Sequence, residues 1–253
     1  MATERIVSLV PSLTELLYDL GLSAEVAGIT KFCIHPNEWF KTKPRVGGTK
    51  TVDLEKVKAL HPTLIIANKE ENVKDQVEAL QQIAPVQVTD VSNLEEALTM
   101  IATIGQLTHK QEQATSMVQS IRHSFNELAL TLTNGNYPKI KTGYLIWREP
   151  YMTIGSDTMI HDLMHRCGWV NIFGHQKRYP EISTDQIKAA GCELLLLSSE
   201  PYPFQQKHIY ELQQELPSTN IMLVDGEMFS WYGSRLQHAA AYFRELIVAT
   251  AQD

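Results

Sequence analysis

The side chains best suited to chemistry fall into four polar segments, each placed after an apolar run. Residues 32–40 hold Cys33, His35 and Trp39, and residues 68–72 hold Glu70 and Glu71. Residues 147–151 hold Trp147 and Arg148, with Tyr179 further on. Residues 225–235 hold Glu227, Phe229, Trp231, Tyr232 and Arg235. The last segment is the most pointed. Three aromatic rings that end at an arginine offer flat apolar area with a cation, which suits a macrocycle or an aromatic chelator. Each ring contact contributes roughly 0.5–1.5 kcal/mol beyond burial, and an arginine pairs with a carboxylate, phosphate or anionic chelate. The competing reading sends Phe229 and Trp231 into the core and sets Arg235 against a neighbouring helix.

Metal chemistry has fewer candidates. Cys33 and His35 supply soft donors, and His161 and His165 stand four apart on a predicted helix, a spacing that can chelate. A metal-handling enzyme of chelatase type would draw ligands or bases from His35, Glu71 and Glu227. A receptor for bare zinc or manganese would need three or four convergent ligands. The sequence contains no dinucleotide fingerprint, no phosphate loop and no nucleophile elbow. Binding is therefore favoured over catalysis, with the chelatase and the direct metal receptor as alternatives.

Alternating strand and helix signals position these segments. The apolar run 5–10 precedes Pro11, and Ser12-Leu13-Thr14-Glu15 reads as a capping box for the helix that follows. Strands are expected at 26–30, 64–67, 86–89, 142–147, 194–198 and 221–225, with helices at 53–61, 73–83, 94–107, 183–190, 207–216 and 234–251. Residues 108–134 contain no Gly and no Pro, and their apolar side chains recur at steps of three and four. This predicts one helix of roughly 39 Å, longer than a small domain is wide. The expected organisation is an α/β lobe over 1–107, a bridging helix over 108–134 and a second α/β lobe over 135–253. Continuous apolar strands separated by helices imply parallel sheets covered on both faces. Residues 53–67 can be laid on 183–197 without a gap, which favours two similar lobes.

Composition narrows the partners. A net charge of −7 and 22 dispersed basic residues argue against nucleic acid. No apolar run is long enough to span a membrane. The three cysteines are widely spaced and form neither a disulfide framework nor a Cys-x-x-Cys site. The first residues show no charged region, apolar run or cleavage site, so the sequence as written is expected to stay in the cytoplasm.

Several stretches carry a family likeness. They are Arg5-Ile-Val-Ser-Leu-Val-Pro-Ser-Leu-Thr-Glu, Val46-Gly-Gly-Thr, Asp53-Leu-Glu-Lys-Val, His61-Pro-Thr-Leu-Ile-Ile-Ala and Gly168-Trp-Val-Asn-Ile-Phe. With the long helix and the 229–235 segment, the chain resembles the helical-backbone class of ABC-importer substrate-binding proteins, the cobalamin and ferric-siderophore receptors. The resemblance implies two Rossmann-like lobes bridged by one helix, with a ligand cleft between them and no intrinsic cofactor. The ligand would be a small-molecule metal chelate such as cobalamin, haem or a ferric siderophore. A periplasmic monomer that docks on an ABC permease is the family pattern. The family's cleft positions fall on Thr49, Asn68, Tyr179 and Glu227, of which Thr49 and Asn68 cannot stack on a corrin. Its docking acid in the second lobe falls on Asp185. In the first lobe Lys74 stands at that position, with Glu71 and Asp75 beside it.

Overall fold

A computed structural model describes residues 4–250. The chain divides into two compact units. Unit 1 comprises Met1–Val91, Ala97–Gln119 and Trp231–Arg235, and unit 2 comprises Ser92–Glu96, Ser120–Ser230 and Leu236–Asp253.

Unit 1 is built on four parallel strands, β1 (Ile6–Ser8), β2 (Val26–Ile29), β3 (Leu64–Asn68) and β4 (Val86–Thr89), in the order β2-β1-β3-β4. The register sets Ile6 against Leu64 and Ile65 against Val86. β1 and β3 are almost wholly buried, as in a parallel sheet covered on both faces, whereas edge strand β4 leaves Val88 exposed. α1 (Pro11–Asp19) buries Leu13, Leu16 and Leu17. The unit also contains α2 (Asn37–Thr42), α3 (Leu54–Ala59) and α4 (Lys74–Leu80). Asp53 caps α3 by accepting from the Lys56 N–H at 3.1 Å. α5 (Leu94–Leu107) and α6 (Gln111–Gly135) follow, and α6 belongs to unit 1 through Gln119 and to unit 2 from Ser120.

Unit 2 holds a second four-stranded parallel sheet made of β5 (Lys141–Leu145), β7 (Val170–Asn171), β9 (Leu194–Ser198) and β10 (Asn220–Val224), in the order β10-β9-β5-β7. A small antiparallel pair, β6 (Tyr151–Met152) and β8 (Glu181–Ile182), stands apart from it. The helices are α7 (Met159–Arg166), α8 (Thr184–Ala189), α9 (Gln206–Glu215), α10 (Gly226–Ser230) and α11 (Leu236–Thr250). Leu145, Leu195, Leu197, Ile187 and Leu212 form the heart of its core.

Counted in order of appearance along each unit, the parallel strands of both sheets lie 2-1-3-4. The expected correspondence of 53–67 with 183–197 is seen in the elements themselves. α3 and α8 begin at 54 and 184 and end at 59 and 189, while β3 and β9 begin at 64 and 194, an offset of 130 each time.

Three local expectations are corrected. The capping box over residues 12–15 does not form, because α1 starts two residues earlier than a Ser12 cap requires, with Val10 as a cap lacking a side-chain acceptor and Pro11 at the first helical position. The long helix starts at Gln111 rather than 108, since His109 takes a left-handed φ of 54° and Lys110 N–H donates to the Gly105 carbonyl at 2.7 Å. Residues 225–235 are not an open loop. Asp225 Oδ1 accepts from the Glu227 N–H at 3.0 Å, starting α10, and this turns Phe229 inward.

Candidate ligand-binding site

In a parallel sheet wound 2-1-3-4, the connections leave the first strand in opposite directions. The crevice for a ligand therefore opens at the carboxyl ends of the first and third strands. In unit 1 that point lies after β1 and β3, and in unit 2 after β5 and β9. All four polar segments singled out from sequence follow the carboxyl end of a strand: β2, β3, β5 and β10.

In unit 1, Asn68 organises the loop after β3. Its side-chain amide donates to the Thr89 carbonyl at 3.0 Å, and its oxygen accepts the N–H groups of Glu70 and Glu71 at 2.8 and 3.2 Å. Asn72 in turn accepts the Asn68 N–H and donates to the Thr49 carbonyl, both at 2.8 Å. Asn68 and Asn72 are buried loop anchors, and Glu71 is half-buried beside them.

The segment Trp231–Arg235 lies against α1. Arg235 makes a two-pronged ion pair with Glu15, at 2.6 and 3.0 Å, and its guanidinium sits 4.6 Å over the Trp231 ring. Trp231 meets His35 edge to face at 5.5 Å. Glu15, Arg235, Trp231 and His35 thus form one continuous stack that leads to the loop after β2. On that loop Phe32 and Ile34 are exposed, and the Lys31 ammonium lies 5.0 Å over the Phe32 ring. The Tyr232 phenol is buried, which pushes its pKa up, and the charge of Glu71 adds to the shift.

In unit 2, Trp147 is exposed and meets Tyr202 edge to face at 5.8 Å. Arg148 pairs with Glu211 at 2.8 Å and Glu149 at 3.5 Å. Hydrogen bonding to Tyr202, then the charge of Glu211, raises its pKa further and keeps the cation fixed. Glu227 is half-buried at the start of α10, and Arg178 lies 5.6 Å over the half-buried Tyr179 ring.

Trp231 and Tyr232 are only 7% and 8% exposed, and three further candidates prove to be core residues. Phe229 is fully enclosed in unit 2, with ring centroids of Phe243, Tyr144, Tyr242 and Trp169 at 4.7, 5.2, 6.4 and 6.5 Å. Trp39 is buried on α2 against Tyr18 at 5.2 Å, because it is the inward side chain of a short helix whose other residues face outward. Cys33 is enclosed between hydroxyls, at 3.1 Å from Thr14 Oγ1 and 3.2 Å from Thr30 Oγ1, and burial raises its thiol pKa. That setting favours a neutral thiol over a metal-binding thiolate.

The expected helical pair also separates by role. His161 Nδ1 accepts from Asn171 at 3.1 Å while His165 is exposed. Among the described residues, no three His, Cys, Asp or Glu side chains form a group that could hold a metal ion. None of these residues forms a helix long and apolar enough to cross a membrane. Asp185 is exposed on the first turn of α8, and Asp75 on that of α4.

A family model for periplasmic binding proteins matches residues 6–219. The chain belongs to the periplasmic binding protein family. Among relatives of this periplasmic binding protein, a vitamin B12-binding protein of Pectobacterium carotovorum is 23% identical over 240 residues, covering 94% of this chain and 86% of the relative. The periplasmic vitamin B12-binding protein of Vibrio cholerae superposes with a TM-score of 0.83 at 19% identity, covering 99% of this chain and 98% of that one. A periplasmic heme-binding protein of Pseudomonas aeruginosa gives a TM-score of 0.84 at 19% identity, with 99% and 93% covered. Both structures share the fold of this periplasmic binding protein.

Phe32, Ile34 and Tyr202 were missed by residue-type reasoning. Phe32 and Ile34 follow β2 directly, so strand-end position was the signal available for them. Tyr202 needed the packing against Trp147 to be seen.

Proposed function

We propose that this chain is the substrate-binding protein of an ABC importer and captures a macrocyclic metal chelate of the corrinoid or tetrapyrrole class. The observation that carries the reading is exposed aromatic area at the end of β5, one of the two strands at the switch point of unit 2, with further exposed apolar area on the loop after edge strand β2 in unit 1. Trp147 is 41% exposed at the end of β5, and Phe32 and Ile34 are 50% and 45% exposed after β2. Such side chains gain most when a large apolar ligand removes them from water, at about 25 cal/mol per Å² buried. The ordered neighbours of these side chains, Tyr202 for Trp147 and Lys31 for Phe32, limit the entropy lost on binding. Half-buried Tyr179 and Glu227 of unit 2 are assigned to ligand positioning, with Arg148 as the cation, and Trp231, 7% exposed in unit 1, contributes through its packing on Arg235 and His35.

The vitamin B12 and heme named for the relatives set the ligand class to test first. Catalysis of metal insertion, or direct capture of a bare ion, would need a convergent donor set. Exposed Asp185 and Asp75, with Glu71, are the acids assigned to permease docking.

Titration of the purified protein with aquocobalamin and with haemin, followed by tryptophan fluorescence, tests the reading. Saturable one-to-one quenching by at least one chelate is expected. Trp147→Ala should weaken it at least tenfold, about 1.4 kcal/mol. No saturable binding of either would overturn the proposal, and full affinity in Trp147→Ala would remove that ring from the site.

A further inference from the structure

The first turn of α1 divides buried polar groups that are matched from ones that are not. One group is paired: the Thr14 hydroxyl donates to Ser8 Oγ at 2.8 Å and lies 3.1 Å from the Cys33 sulfur, which Thr30 also reaches at 3.2 Å. Ser12, Tyr232 and Ser234 are also buried, only 3%, 8% and 1% exposed. None of their three hydroxyl oxygens has a hydrogen-bond partner among the described residues. Ser12 and Thr89 lie beside the Tyr232 phenol and moderate its raised pKa, but neither meets it at hydrogen-bonding geometry. Gly233 runs so close to the helix that a Cβ there would stand 2.6 Å from the Ser12 carbonyl oxygen. The segment that carries two of the hydroxyls therefore lies on the turn that carries the third.

The helix adds donors of its own. Val10 gives no side-chain cap and Pro11 has no N–H, so the Ser12 and Leu13 N–H groups lack intrahelical acceptors. The residues that spell a capping box do not supply one. Ser12 sits inside the helix, and the Glu15 carboxylate is taken by Arg235. Unmatched donors in the interior are costly and call for an acceptor. The positive end of the helix dipole points at the same place, and that place is the carboxyl end of β1, one of the two strands at the topological switch.

We propose that this turn is an anion subsite of unit 1, built to take a carboxylate carried by the bound chelate; it rests on the receptor reading above. Ser12, Tyr232 and Ser234 donate to the carboxylate together with the first free N–H groups of α1, and the Tyr232 ring turns aside to admit it. Burial and the nearby Glu71 keep the phenol protonated and hence a donor. The charges of Glu71 and Glu70 near the phenol oppose an anion. Recognition therefore falls on directed hydrogen bonds rather than on net charge.

Thermal unfolding of the full chain in sodium formate and in sodium chloride at equal ionic strength reads the subsite without any chelate. Formate is expected to raise the melting temperature above the chloride value. Ser12→Ala and Tyr232→Phe, which each delete one oxygen and keep the packing, should each reduce that gain by more than half. In chloride the variants should melt no lower than the parent, since they remove hydroxyls that nothing matches. No formate-specific gain, or a gain kept in full by both variants, overturns the subsite.

A second arm compares chelates that differ at a carboxylate, haemin with its dimethyl ester and cobyric acid with cobinamide. The acid of the bound pair should be preferred at least tenfold, and Tyr232→Phe should erase the preference. Equal affinity within the pair overturns the role of the subsite in chelate binding while leaving the receptor reading intact. Failure of all four to bind counts against the receptor reading, and the formate result then decides the subsite alone.

Discussion

Truncation of Phe229 separates core from ligand surface. The ring is fully buried and touches four other aromatic rings, with Phe243 and Tyr144 nearest at 4.7 and 5.2 Å. Phe229→Ala removes the ring and leaves a cavity that those stiff neighbours cannot fill by collapse. Large-to-small changes of this kind cost about 3–5 kcal/mol. Each lost edge or tilted ring contact is worth roughly 0.5–1.5 kcal/mol, and these contributions overlap with the burial already counted. A loss of about 4 kcal/mol is therefore expected. For a chain of this size 1 kcal/mol moves the melting temperature by roughly 2–4 °C, so the variant should melt about 8–16 °C lower. Calorimetry or circular dichroism reads the shift, and Phe229→Leu should recover most of it. Chelate affinity, measured well below the variant's melting temperature, should stay within about threefold of the parent. A melting temperature within 3 °C of the parent, coupled to a tenfold loss of affinity, would refute the reasoning and return Phe229 to the ligand surface.

Other consequences follow from charge and burial. The Glu15–Arg235 pair is only 19% and 13% exposed at its two side chains, so Arg235→Met should destabilise by about 3 kcal/mol through the carboxylate left unpaired. The double variant with Glu15→Leu should regain most of that loss in a urea titration, and a double variant as weak as the single one would contradict the account. Burial first, then the charge of His165 at His161 and of Arg148 at His208, holds both imidazoles below the ordinary histidine range. The unfolded chain then binds the extra protons. Stability should be full above about pH 6.5 and be lost as the pH falls through the lowered folded values. His208→Gln should flatten the fall in urea midpoint between pH 7 and pH 5, whereas an unchanged slope would show that the imidazole titrates freely. All three cysteines are buried, with Cys192 pushed up to about 11. Ellman's reagent at pH 8 should label them only as the protein unfolds, and rapid labelling of Cys33 in native protein would mean that its hydroxyl cage opens.

Much of the fold was legible because it rests on periodicity. The apolar runs that became β3 and β9, and the Asp53 and Ser183 caps before α3 and α8, are local signals that tertiary packing reinforces. The capping box at residues 12–15 misled because Glu15 had a stronger partner, an arginine 220 positions away that no local rule could supply. Three core residues were misassigned for similar reasons. Aromatic type marks Phe229 and Trp39 equally for a core or a ligand surface. The inward face of α10 is fixed by Asp225 capping and by rings on β5 and α11. The two-residue strands β6, β7 and β8 are not visible in the sequence because elements that short leave no period to read. The four candidate segments follow strand ends, and burial sorts their side chains, with Trp147 exposed and Phe229, Trp39 and Cys33 enclosed. Strand-end loops are readable from order along the chain, whereas burial of Cys33 and exposure of Phe32 depend on which side of the loop faces the sheet.

Chelate binding is expected to cover the apolar side chains exposed after strand ends, Trp147 in unit 2 and Phe32 and Ile34 in unit 1. Hydroxyl-radical footprinting of the protein with and without saturating chelate tests it most directly. Trp147, Phe32, Ile34 and Tyr202 should lose reactivity on binding, while exposed Tyr210 on α9 and Leu130 on α6 should keep theirs. Protection confined to Tyr210 or Leu130, with Trp147 and Phe32 unchanged, would contradict the account.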